Sequence, residues 1–150
     1  MRECGFDGAY SYFASAGFTE GSTPEGWPRV QAQMAGNQRL FYASAGPGYN
    51  DTLIRPWNAQ ATRARDSGAY YDRMWQAALD SGVDAVTITS YNEWGEGTQI
   101  EPARPHVTIN GTAYADYSPV EGTFYMERTR EWVARAKRAR GCPMDAKVEL

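Results

Sequence analysis

Apolar positions along the chain alternate between short continuous runs and longer stretches with helical spacing. Phe6-Asp7-Gly8-Ala9-Tyr10-Ser11-Tyr12-Phe13 is short, aromatic and free of proline, and it predicts a first strand. Ser22-Thr23-Pro24-Glu25 offers a capping hydroxyl and an early proline, so a helix is predicted to start there, with Trp27, Val30 and Met34 on one face. Gly36-Asn37 ends it. Leu40 to Ser44 reads as a second buried strand, followed by the turn residues Gly46-Pro47-Gly48. Tyr49 to Asp66 then forms a long loop, and loops of that length in a compact domain usually serve function.

The third unit is the clearest. Tyr71, Met74, Trp75, Ala78 and Leu79 recur at i, i+3, i+4, i+7 and i+8, which predicts a helix from about Gly68 to Asp80 with one apolar stripe. Ala85-Val86-Thr87-Ile88-Thr89-Ser90-Tyr91 is rich in β-branched residues and uncharged, as a strand buried on both faces is. Strand, helix, strand, helix, strand is the alternation of a parallel α/β sheet or barrel. Asn110-Gly111, between Val107-Thr108-Ile109 and Thr112-Ala113-Tyr114, signals a hairpin. A last helix, about Gly122 to Ala139, puts Tyr125, Trp132, Val133 and Ala136 on one side, and its basic end, Arg135 to Arg140, reads as a solvated terminus where cations complement the dipole.

Composition narrows the chemistry. The 150 residues suit one core, and no repeat or linker divides them, so 1–150 is read as a single segment. A formal charge of −3 argues against nucleic acid as the partner. No apolar run approaches the roughly 20 residues of a membrane span. Cys4 and Cys142 sit far apart and are expected to be free thiols, and with His106 the sole histidine, histidine-centred metal sites and Ser-His-Asp triads are disfavoured. Carboxylates are left to carry the reaction. The 10 Tyr, 5 Trp and 5 Phe suit a sugar-binding surface or a core equally well.

In parallel α/β folds the ligand site lies beyond the carboxyl ends of the strands. That rule selects Tyr10 to Phe13, the loop after Ser44, and Tyr91-Asn92-Glu93-Trp94-Gly95-Glu96-Gly97-Thr98-Gln99-Ile100-Glu101. Glycosidic cleavage needs two facing carboxyl groups, about 5 to 5.5 Å apart for retention and about 6.5 to 9.5 Å for inversion. Glu93 and Glu96, with a turn at Gly95, permit either outcome. Two other readings stay open at this point: the acids cap loop amides or pair with Arg55 or Arg104, or Asp51, Glu93, Glu96 and Glu101 hold a hard cation. Arg55 near the acids would keep one ionised, while a buried Trp94 would raise the other's pKa. Asn50-Asp51-Thr52 and Asn110-Gly111-Thr112 match the N-glycosylation pattern, which is common by chance.

Four segments, Phe6 to Ser15, Gly46 to Thr52, Ile54-Arg55-Pro56-Trp57-Asn58 and Ser90 to Glu101, resemble glycoside hydrolase family 99, the endo-α-1,2-mannosidases and endo-α-mannanases. The resemblance implies an α/β fold, the C-terminal part of a (β/α)8 TIM-type barrel, with about three strands, their helices and a hairpin in 1–150. It implies Glu96 as general acid/base and Glu93 as the base that draws the proton from the substrate's own 2-hydroxyl, giving a 1,2-anhydro sugar and overall retention. Tyr12 and Arg55 match positions lining the sugar subsite, and Asn92 and Trp94 flank the acids. Gly95 departs from the His that many members carry on the leaving-group side.

No cofactor and no metal is implied. The expected partner is a mannose-containing oligosaccharide or N-glycan, α-mannosides capped at an internal linkage, cleaved by a monomer. The implied location is the Golgi in a eukaryote, with the membrane reached only through an N-terminal anchor outside residues 1–150, or the periplasm or exterior in a bacterium. Competing readings are a noncatalytic glycan-binding relative and a polysaccharide-synthesis protein sharing Asn-Glu-Trp-x-Glu. Three parallel strands alone leave an unpaired edge and a bare apolar face, so the isolated chain is expected to be poorly stable.

Overall fold

The computed structural model describes residues 5–12 and 14–141, so Cys4, Phe13 and Cys142 lie outside the described residues. Strands β1 (Gly8–Tyr10), β2 (Leu40–Ala45) and β3 (Ala85–Ile88) form one parallel sheet in the order β1-β2-β3. The register pairs Tyr10 with Tyr42 and Tyr42 with Ala85. Parallel neighbours need long crossovers, and each is helical: α1 (Trp27–Ala35) joins β1 to β2 and α2 (Ala69–Asp80) joins β2 to β3.

Local chemistry trims the predicted elements. The first strand stops at Tyr10 because the Ser11 hydroxyl, not a backbone carbonyl, accepts the Ser44 amide at 3.0 Å, and Tyr12 leaves the sheet. The first helix starts later than Ser22. Two single 3₁₀ turns, Glu20–Ser22 and Pro24–Gly26, come first, and the capping hydroxyl belongs to Thr19, which accepts the Ser22 amide at 3.2 Å. Pro28 lacks an amide hydrogen, which an α-helix tolerates only in its first turn, so α1 begins at Trp27.

Among the described residues, helices cover only one face of the sheet. Phe41, Ala43 and Ala45 of β2, with Ala9, Val86 and Ile88 beside them, form one core with Trp27 and Met34 of α1 and with Tyr71, Met74, Trp75 and Ala78 of α2. Burial of each large apolar side chain in that layer stabilises by about 1.5–3 kcal/mol. Tyr10, Leu40 and Tyr42 face the other way and are exposed. β3, expected to be buried on both faces, is half-buried throughout, since nothing among the described residues covers its second face or pairs its outer edge.

The last helix, α3 (Phe124–Ala139), docks on α2. Trp132 stacks on Trp75 with ring centroids 6.1 Å apart, Trp132 Nε1 donates to Asp72 Oδ1 at 2.7 Å, and Arg128 Nε does the same at 2.7 Å. Val133, expected on the packed side, is exposed. The basic end is more than a solvated terminus, because Arg140 donates to the carbonyls of Val83 and Asp84, both at 2.6 Å, and ties α3 to the start of β3. The hairpin forms as expected from β4 (Thr108–Ile109) and β5 (Thr112–Ala113), with Asn110 and Gly111 both at positive φ. Among the described residues no helix is long and apolar enough to cross a membrane.

Candidate active site

The three stretches selected by the strand-end rule do converge. A cleft of about 380 Å³ is lined by Tyr12 and Phe18 from the β1 exit, by Tyr49, Asp51, Arg55 and Trp57 from the β2 exit, and by Thr89 and Glu96 from the β3 exit. The exits meet at Gly46, where an added Cβ would lie 2.2 Å from the Ala14 Cβ and 3.0 Å from the Thr89 carbonyl oxygen. Only glycine allows that approach.

The β1 exit is held from behind by Tyr70 of α2, whose hydroxyl donates to the Ala14 carbonyl at 2.5 Å and accepts the Ala16 amide at 2.8 Å. That leaves Tyr12 at 55% exposure over the cleft. The long loop after β2 is closed at its base, where Tyr49 and Arg63 exchange amide-to-carbonyl bonds of 2.9 and 2.7 Å. It also contains a 3₁₀ helix, Pro56–Ala61, which Pro56 starts with its fixed φ.

Inside this loop Asp51 has a fully buried side chain. Its Oδ2 accepts from Tyr49 Oη at 3.0 Å, from Asn58 Nδ2 at 2.9 Å and from Arg55 Nη1 at 3.1 Å. Burial pushes this carboxyl up, but the three donors outweigh it and hold Asp51 below its ordinary pKa. The Tyr49 phenol is pushed up to about 12 by burial, by its bond to Asp51 and by the nearby charge of Glu96.

Glu96 meets Arg55 across the exits, Oε1 to Nη1 at 3.0 Å. The turn that presents Glu96 runs from Trp94 to Gly97 and so includes Gly95, where a turn was expected, while Gly97 closes it at positive φ (62°). Its base is pinned by Ser90 N to Thr98 O at 2.9 Å, by Thr98 N to Glu93 O at 3.1 Å and, from the loop after β2, by Asn50 N to Glu96 O at 2.8 Å. Glu93 is exposed and accepts the Gly95 amide at 3.1 Å. It faces a second cleft of about 570 Å³ together with Asn92, Trp94, Arg104 and the hairpin residues Val107 and Ile109.

The first of the two open alternatives for the acids is realised: Glu93 caps an amide and Glu96 pairs with Arg55. The four-acid cation set is not assembled, since Asp51 is buried against Arg55 and Glu101 accepts the Trp94 indole N–H. Trp94 is only half-buried, its ring edge-on to Tyr114 with centroids 6.2 Å apart. Asn50 closes a turn, its Oδ1 accepting from Thr52 Oγ1 at 2.7 Å. His106 is an exposed loop residue whose amide donates to Asp116 at 2.7 Å.

Sequence reasoning brought Tyr12, Arg55, Asn92, Glu93, Trp94 and Glu96 forward, and the fold gathers them into these two adjoining clefts. It missed Tyr49 and Asn58 as partners of Asp51, and Tyr70 as the brace of the β1 exit. The i, i+4 spacing of Asp51 and Arg55 was the one available signal.

Comparison with known proteins bears on the family and the fold. The model of the family described as Glycosyl hydrolase family 99 matches residues 1–138. The chain is 47% identical over 140 residues to the glycoprotein endo-alpha-1,2-mannosidase of Rattus norvegicus, covering 93% of this chain and 30% of that protein. It is 50% identical over 128 residues to the glycoprotein endo-alpha-1,2-mannosidase-like protein of Homo sapiens, covering 85% of this chain and 28% of that one. Among solved structures, the GH99 endo-alpha-mannosidase from Bacteroides thetaiotaomicron superposes with a TM-score of 0.84 at 48% identity, over 89% of this chain and 39% of that chain. The chain therefore spans less than a third of the length of these curated relatives. These structural neighbours are (β/α)-barrel enzymes, and the three parallel strands with their helices are a sector of such a barrel. By its match to the family model and its likeness in sequence and fold to these relatives, this chain belongs to glycosyl hydrolase family 99.

Proposed function

We propose that residues 1–150 are the C-terminal portion of a catalytic barrel whose whole is a retaining, endo-acting α-mannosidase, hydrolysing internal α-1,2-mannosidic linkages of capped high-mannose glycans. The observation that carries this is the pairing of Arg55 with Glu96 at 3.0 Å in a cleft that Tyr12 also lines, with Glu93 lining a second cleft. Two acids held in different surroundings suit two different roles. Glu93, exposed and paired only with a loop amide, takes the proton of the substrate's 2-hydroxyl. The freed O2 attacks the anomeric carbon as the glycosidic C–O bond breaks, and Glu96 gives its proton to the departing oxygen.

A 1,2-anhydro sugar results, and no bond to the protein forms. Glu96, now a carboxylate, takes a proton from water as the water oxygen opens the strained ring at the anomeric carbon. Glu93 returns its proton to O2. Two displacements at one carbon give overall retention. Tyr12 and Arg55 line the sugar subsite in this reading, Asn92 and Trp94 flank the acids, and the chemistry calls on no metal or cofactor.

The protein acts as a monomer on a mannose-containing oligosaccharide or N-glycan. It works in the Golgi, held through an N-terminal anchor, if its source is eukaryotic, and in the periplasm or outside the cell if bacterial. The test is to assay the full-length protein on a Glc-Man-capped glycan beside Glu96→Gln. Positioned acid/base groups contribute about 10²–10⁴-fold, so disaccharide release should fall by at least about 100-fold. Release undiminished by the substitution removes Glu96 from the mechanism.

A further inference from the structure

One nitrogen of Arg55 is shared between two carboxylates, 3.1 Å from Asp51 Oδ2 and 3.0 Å from Glu96 Oε1. The two acids live differently. Glu96 lines the cleft, whereas Asp51 is 0% exposed and gathers three donors on a single oxygen. Each donor binds the anion better than the acid, so Asp51 stays ionised at neutral pH. A fixed negative charge therefore stands directly behind the arginine.

We propose that Asp51 is a positioning residue for bond cleavage: it aims Arg55 at Glu96 and offsets the guanidinium charge, so that Glu96 can hold the proton the first step consumes. This rests on the acid/base role proposed for Glu96. That role makes opposite demands, a neutral Glu96 before the glycosidic bond breaks and an anionic one afterwards. An unopposed cation in contact with a carboxyl favours its anion, which works against a proton donor. Asp51 makes the pair behind Glu96 close to neutral while leaving the hydrogen bond from Arg55 in place. The other titratable side chains around Glu96 are Tyr12 from the β1 exit, Tyr49 from the β2 exit, and Glu93 and Glu101 on its own loop. None of these makes a hydrogen bond or ion pair with Arg55, so among the described residues Asp51 is the carboxylate other than Glu96 itself that offsets its charge.

The competing role is purely architectural, because the Asp51 carbonyl also accepts the amides of Ile54 and Arg55 at 3.0 and 2.7 Å. The experiment separates the two in the full-length protein, with the glutamate side-chain carboxyl carbons labelled with ¹³C and the Glu96 signal assigned by its loss in Glu96→Gln. The midpoint of the Glu96 titration is followed in wild type, Asp51→Asn and Arg55→Gln, alongside kcat/KM against pH on the capped glycan. Asp51→Asn should lower the midpoint by about one pH unit or more and move the alkaline limb of kcat/KM down with it. Arg55→Gln should move the midpoint up.

A midpoint that stays put in Asp51→Asn, or a loss of activity uniform across pH, assigns Asp51 to loop anchoring and overturns the proposal. Should Asp51→Asn not fold, the wild-type midpoint decides against that of the urea-unfolded chain: a midpoint no lower than the unfolded one supports the offset of Arg55 by Asp51, and one lower by about one pH unit or more overturns it. If the midpoints shift as expected while wild-type protein cleaves nothing, the reaction reading fails and the control of Glu96 by Asp51 stands.

Discussion

Arg65 clamps the back of the turn that carries Glu96, and replacing it with Met should loosen that turn without opening a large hole. Arg65 Nη2 donates to the carbonyls of Gly97 and Gln99 at 3.0 and 2.8 Å, and the guanidinium lies 4.7 Å from the ring centroids of both Tyr117 and Tyr125. Gly97 and Gln99 are buried, so carbonyls stripped of Arg65 have no easy route to water. Each hydrogen bond from an ionised donor is worth about 1.5–3 kcal/mol and each ring contact about 0.5–2 kcal/mol. Two terms reduce the sum. The Gln99 carbonyl keeps a share of the Tyr117 hydroxyl proton, 3.1 Å from Oη against 2.6 Å for the Glu101 carbonyl, and Arg65 Nη1 is buried without a partner, a desolvation cost that Met does not carry.

A net loss of about 3 kcal/mol remains. Equilibrium urea unfolding of the full-length protein reads it directly, and steady-state kinetics on the capped glycan should show kcat falling by more than KM rises, because the turn, not the sugar subsite, has slackened. Arg65→Lys should fall between the two, since an ammonium keeps the charge but lacks the planar fork that serves two carbonyls. If Arg65→Met unfolds within about 0.5 kcal/mol of wild type, the clamp is not what holds the turn.

Two further substitutions test the frame around the cleft. Gly46→Ala puts a methyl within 2.2 Å of the Ala14 Cβ, which must drive the β1 and β3 exits apart; a stability loss of about 1–3 kcal/mol with a larger fall in kcat/KM is expected, and wild-type kinetics would show that the exits give way freely. At Asp72 burial pushes the carboxyl up, but hydrogen bonds from Arg128 and Trp132 and the charges of Arg128 and Arg135 hold it below its ordinary pKa. A folded-state pKa below the unfolded value, about 3.9, gives stability that is complete above that value and is lost as the pH falls through the folded one. Asp72→Asn should therefore flatten the acid side of a stability-against-pH curve measured by urea unfolding, and parallel curves would refute the assignment.

Element types were legible because each rests on local pattern, and boundaries were not because each rests on a bond to something distant. The stripe from Tyr71 to Ala78 marks α2 whatever surrounds it. By contrast, β1 ends where Ser11 takes an amide from β2, and α1 starts where Pro28 can be tolerated. β3 misled most: its β-branched run fits a strand covered on both faces, yet among the described residues only the helix side is packed. A strand's composition records the burial of the fold that selected it.

The same distinction explains the site. Glu93 and Glu96 were visible because three residues of chain cannot separate them far, whereas Arg55 and Glu96 touch across 41 positions. That contact is nevertheless a consequence of register. Facing residues on β2 and β3 differ by 43 (Tyr42 with Ala85, 85 − 42), so two exits that advance nearly in step bring residues 41 apart together. The register itself could not be read, because β2 and β3 are both apolar and would pair as well on that ground after a slip of two residues. What fixes it here lies beyond the strands: Ser44 bonded to Thr89 at 2.6 Å, and Asp84 Oδ2 accepting the Phe41 amide at 2.8 Å. Polar side chains at strand ends thus set the alignment that delivers Arg55 to Glu96, so the candidate site depends on residues that carry none of its chemistry.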